Sequence, residues 1–141
     1  MDFIFDSSLV LYLPFYELDG ASFAAKDKHG HSCTVTGALW RPYGHYFDGT
    51  DDRIDCGAST AFDLTKYTIE AWFKINGTQG NKKIISKRSL DGTEMNFQFG
   101  PANATTWDLY WKSGGVTKSV AYNLSADDGN WHMIGITFEV L

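Results

Sequence analysis

The sequence predicts an all-β fold, a two-sheet antiparallel β-sandwich, on three observations. In the longest segments apolar residues recur at every second position, a period of two rather than 3.6. Asp-Gly, Asn-Gly, His-Gly and Gly-Gly pairs stand between those segments. Segments and turns alternate at roughly ten-residue spacing, as in sandwiches and barrels.

Each element follows from that pattern. In 67–75, Ile69, Ala71, Phe73 and Ile75 share one face, and Thr68, Glu70, Trp72 and Lys74 the other. Met95, Phe97 and Phe99 alternate with Asn96 and Gln98. Trp107, Leu109 and Trp111 alternate with Asp108, Tyr110 and Lys112. His132, Ile134, Ile136, Phe138 and Val140 alternate with Met133, Gly135, Thr137 and Glu139. Shorter strands are expected at 9–15, 33–36, 45–47, 53–56, 83–86 and 117–122. Turns are expected at Asp19-Gly20, His29-Gly30, Asp48-Gly49, Asn76-Gly77, Asp91-Gly92, Gly114-Gly115 and Asp128-Gly129, the last closing a hairpin before Trp131. Only 59–66 holds a short helical turn.

A chain of 141 residues is the size of one domain, so residues 1–141 are expected to form a single unit. The net charge of −5 argues against nucleic acid and anionic membranes, which need a cationic face. The longest apolar run, 9–15, contains Pro14 and is far short of a membrane span. The N-terminus carries Asp2 and Asp6 and no basic residue, so no signal peptide is read there. Cys33 and Cys56 are too few for a disulfide scaffold or a four-ligand zinc site. They are read either as one bridge or as two small buried hydrophobes.

Five stretches, in order, carry a resemblance. They are Leu9-Val10-Leu11-Tyr12-Leu13-Pro14-Phe15 with Glu17; Asp27-Lys28-His29-Gly30 followed by Thr34-Val35-Thr36-Gly37-Ala38-Leu39-Trp40; Tyr46-Phe47-Asp48-Gly49 with Asp51, Asp52 and Ile54; Tyr67-Thr68-Ile69-Glu70-Ala71-Trp72-Phe73-Lys74; and Asn130-Trp131-His132-Met133-Ile134-Gly135-Ile136-Thr137-Phe138. Over residues 8–139 the chain resembles a laminin G-like jelly roll of the concanavalin A-like lectin and glucanase superfamily. That resemblance implies adhesion or carbohydrate attachment in a cell-surface, secreted or virion protein. In such proteins further strands usually follow the one ending near Glu139. The expectation is therefore a fragment of a longer protein, a sandwich completed in trans by a second copy or partner strand, or Met1 to Ser7 filling the vacated place.

The candidate chemistry is non-catalytic. Glycosidases of the superfamily carry paired carboxylates on one strand face, about 5–5.5 Å apart for retention. Glu70 is followed by Ala71 and Trp72, and Glu94 by Met95 and Asn96, with no second carboxylate at i+2. No nucleophile elbow, phosphate loop or His-Glu-x-x-His motif occurs. Hard oxygen ligands from turns suit Ca²⁺, so Asp48, Asp51 and Asp52, with Asp27, are candidate calcium ligands; the alternative is that they cap turns. A weaker calcium location involves Asp91 and Glu94. The carbohydrate candidates are Tyr110 with Asp108 and Lys112 on the outer side of their strand, then Trp72, then Trp40 with Tyr43 in a loop, each against the alternative of ordinary packing. His29 and His31 are read as loop polar residues. Sequons stand at Asn76, Asn103 and Asn123.

The sequence thus points to a lectin-like binding module for a glycan or a protein surface. The alternative is a structural domain that assembles through open sheet edges, with no soluble ligand.

Overall fold

The computed structural model describes residues 6–16, 24–77, 80–88, 95–103, 105–113 and 116–139. The expected turns at Asp19-Gly20, Asp91-Gly92 and Gly114-Gly115, and the residues Glu17, Asp91 and Glu94, lie outside them. Regular structure is almost entirely antiparallel β, and the chain divides into two compact units, Met1–Leu64 and Thr65–Leu141.

The first unit holds five short strands: β1 Ala24–Lys26, β2 Ser32–Thr36, β3 Leu39–Arg41, β4 Gly44–Tyr46 and β5 Arg53–Asp55. β2 lies between β1 and β5, while β3 and β4 form a separate hairpin. In β2 the alternation buries Cys33 and Val35, which with Ala38 make a small core joined by Leu13, Ile54 and Cys56. Thr60–Phe62 is one 3₁₀ turn, capped by Ser59 Oγ accepting from the Ala61 N–H at 3.2 Å.

Residues 9–15, expected as a strand, are not one. Pro14 has no N–H to give a ladder, and the Phe15 N–H bends back to the Leu13 carbonyl at 2.9 Å. The segment is instead pinned at Tyr12, whose N–H donates to Asp27 Oδ2 and whose carbonyl accepts from the Lys28 N–H, both at 3.3 Å.

The second unit is a sandwich. Its strands are β6 Lys66–Asn76, β7 Ile85–Arg88, β8 Met95–Pro101, β9 Thr106–Ser113, β10 Val116–Asn123 and β11 Asp128–Glu139. One sheet runs β10-β9-β8-β7 and the other pairs β11 with β6. Between them Phe99, Trp107 and Ala126 are buried against Phe73, Ile75, Ile84, Ile85, Leu109, Ile134 and Ile136. The Trp107 ring lies 5.2 Å from Phe73 and 5.3 Å from Phe99, so one indole bridges the two layers.

Two boundaries differ from the expectation. The strand placed at 83–86 begins at Ile85; the Ile84 N–H already donates to the Phe99 carbonyl at 2.9 Å, and 82–84 pass close to Gly100. A Cβ there would meet the Lys82 carbonyl oxygen at 2.6 Å and Lys83 Cα at 2.7 Å. Asp128-Gly129 does not close a hairpin but lies inside β11. Asp128 pairs with Asn76 and Trp131 with Lys74, so three steps on β11 match two on β6, and Gly129 takes the left-handed conformation (φ +74°) of a bulge.

Candidate functional site

Alternation in β6 and β11 sends Tyr67, Ile69, Ala71, Phe73 and Ile75 inward and leaves the even-numbered residues of β6 outside. Register then builds the outer face row by row. Lys66 pairs with Glu139 in an ion pair, and Thr68 with Thr137 in a 3.1 Å hydroxyl contact. Glu70 lies opposite Gly135, Trp72 opposite Met133, and Lys74 opposite Trp131. Trp72 is 68% exposed, Trp131 50% and Met133 48%. A Cβ added at Gly135 would meet nothing within 4 Å, so the face is open there, in the row of Glu70 and two positions from that of Trp72.

The second candidate sits on the other sheet. Trp107 and Leu109 face the core, so Asp108, Tyr110 and Lys112 face outward. The Tyr110 hydroxyl donates to Asp108 Oδ2 at 3.2 Å. The Asp108 charge raises the phenol's pKa, helped by that hydrogen bond. Ser86, Gln98, Tyr110 and Ser119 form one polar row across the four strands. Beside it, burial lowers the pKa of Lys83 while the Asp108 charge opposes the shift. Trp72 and Tyr110 stand on the two outer faces of one sandwich, so they belong to different surfaces.

Trp40 and Tyr43, expected in a loop, belong to the β3–β4 hairpin. Trp40 lies on β3 opposite His45, and its indole N–H is committed to the Tyr16 carbonyl at 3.2 Å. Tyr43 is 80% exposed at the hairpin tip.

Asp48, Asp51 and Asp52 come together, with carboxylate oxygens within 4.8 Å of one another. The turn fixes two of them. Asp48 Oδ1 accepts from the Thr50 N–H and Asp52 Oδ2 from the Asp48 N–H, both at 2.7 Å. Asp27 is not in that cluster. It is buried and closes its own loop, accepting from the N–H groups of Tyr12, His29 and His31, with the His31 ring at 3.0 Å. Burial pushes its pKa up, but these hydrogen bonds outweigh it and hold the carboxyl below its ordinary value.

Trp131 is the residue that the sequence reading passed over. Its spacing from Met133 already put both on one face; reading it as a hairpin edge hid that.

A core held between antiparallel sheets, with alternate side chains turned outward, is the architecture of a β-sandwich jelly roll. A laminin G-like family model, described as concanavalin A-like lectin/glucanases superfamily, matches residues 48–139, and the chain belongs to that family. No curated protein and no solved structure matches it. The membership supports a carbohydrate- or protein-binding module, a class generally without catalysis.

Proposed function

We propose that the chain is a non-catalytic, lectin-like module that holds a glycan or a protein surface against the outer face of β6 and β11. The observation that carries this reading is the exposed Trp72 beside Met133 and Trp131, with open space over Gly135 and Glu70 in the same row as Gly135. Sugar rings stack their C–H faces on indoles and give their hydroxyls to carboxylates and amides. Asp108 with Tyr110, and Tyr43 with Trp40, are secondary contact points. In this reading residues 1–141 act as one domain on a cell surface, in a secreted protein or on a virus particle.

A calcium ion fits the acidic turn. Its donors are hard oxygens, and backbone N–H groups already orient two of the three carboxylates. Asp48, Asp51 and Asp52 would hold the ion; Asp27, spent on its own loop, would not.

The test is a glycan array followed by Trp72→Ala and Trp131→Ala. Binding that disappears in both variants while their melting is unchanged supports the proposal. Binding indifferent to both removes this face. A second reading, a domain that assembles through open edges, draws on the exposed Val116 and Tyr122 of β10 and on the unpaired outer edges of β6 and β11 among the described residues. Concentration-dependent assembly without glycan binding supports it instead.

A further inference from the structure

We infer that Cys33 and Cys56 are a cross-linking site: two thiols placed to close into an intramolecular disulfide that ties β2 to β5. Neither the family membership nor the proposed binding face requires it, and it stands independently of both.

The placement comes from register. β2 and β5 pair Thr36 with Arg53, Val35 with Ile54 and Thr34 with Asp55. One step further puts Cys33 directly opposite Cys56. Residues opposite one another in an antiparallel pair have Cα atoms about 4.5–5.5 Å apart, inside the window a disulfide spans. The two Sγ atoms lie 3.4 Å apart, already in contact, so closing the bond needs a shift of little more than an ångström. Both are free thiols, Cys33 fully buried and Cys56 half-buried.

The chemistry balances with a small disulfide, RSSR, as oxidant. The Cys56 thiolate, on the more accessible of the two sulfurs, attacks one sulfur of RSSR and releases RS⁻. Cys33 then attacks Cys56 Sγ and releases the second RS⁻. Two S–H bonds and the S–S bond of RSSR break, the Cys33–Cys56 bond forms, and the two protons end on two RSH.

The surroundings set the pace. Burial, then the neighbouring thiol, then the charges of Asp27 and Asp55 push the Cys56 pKa up to about 12. Burial raises that of Cys33 as well. Thiolate is therefore scarce at neutral pH, and the pair is a slow-forming structural link rather than a catalytic couple. Once formed, the ring of residues 33–56 encloses the β3–β4 hairpin and the acidic turn, so the link restrains both. Such links persist in oxidising surroundings.

The full chain, reduced and then incubated with oxidised glutathione, tests this. The expected product is a monomer lighter by two hydrogens, with no free thiol titrated in denaturant, and melting raised by roughly 10 °C over the reduced form. Its formation speeds up about tenfold per pH unit near neutrality, following the thiolate fraction. Cys56→Ala gives no such species while remaining folded. Two thiols still titratable after prolonged oxidation, or only glutathione adducts and intermolecular dimers, would overturn the proposal; both readouts use the unaltered chain.

Discussion

Asp52 occupies the place that a side chain on Gly37 would take. A Cβ built on Gly37 overlaps Asp52 Oδ1, and Gly37 itself holds φ +73°, a conformation that side chains disfavour. The acidic turn is thereby seated against the end of β2. Gly37→Ala is expected to cost about 2 kcal/mol, from the strained backbone and the displaced carboxylate together. A urea midpoint within error of the parent would contradict this.

The same seat bears on calcium. Millimolar calcium is expected to raise the melting temperature, and chelation to reverse the rise, by the linkage of ligand to the folded state. Asp51→Asn, whose side chain is exposed, should remove the response without changing the metal-free melt. An identical melt with calcium and with chelator would exclude the ion.

Trp72→Ala is expected to weaken a bound glycan at least tenfold, about 1.4 kcal/mol, while stability changes by less than roughly 0.5 kcal/mol. The asymmetry follows from exposure: Trp72 stands on the outer face of β6 and is 68% exposed. Loss of folding in this variant would show that the ring is structural.

Asp27→Ala is expected to cost about 2–3 kcal/mol, because the loop loses a buried acceptor for three backbone N–H groups at once. The pH dependence has a definite sign. The folded carboxyl titrates below its ordinary value of 3.8, so the unfolded chain takes up the proton first. Stability from this group is full above 3.8 and is lost as pH falls through the folded value. An acid transition unchanged in Asp27→Asn would refute the assignment.

His45 adds a second acid-sensitive point. Its Nδ1 contacts the Phe15 carbonyl at 3.1 Å, as an N–H donor there, while Nε2 is buried without a partner. Burial lowers its pKa below the ordinary 6.5, with the Phe15 hydrogen bond opposing. The unfolded histidine protonates first, so stability is full above pH 6.5 and declines as pH falls toward the folded value. His45→Phe should flatten that decline in a pH series of denaturant midpoints; an unaltered slope would refute it.

The long strands were legible because a period of two over many residues has one physical solution: one face dry, one face wet. Ile69 to Ile75 and His132 to Phe138 needed no further information. The segment at 9–15 misled because its apolar content was real while Pro14 removed a donor, and its register with Asp27 depends on residues far along the chain. Leu39 to Arg41 was too short to announce a strand. The acidic turn was readable from Asp48, Asp51 and Asp52 in sequence, but the diversion of Asp27 to His31 was not, since hydrogen-bond partners are chosen by the folded loop. Trp131 escaped because Asp128-Gly129 reads equally well as a hairpin or as a bulge.

That bulge decides how the corner responds to changes in length. Within 131–139, adding or deleting one residue would turn the following side chains over, exposing Ile136 and Phe138 and burying Thr137 and Glu139. Between Asp128 and Trp131 the phase is already broken, so one residue more or less there enlarges or erases the irregularity and leaves the rest of the strand as it was. The chain thus has a buffer against small insertions where its longest strand begins.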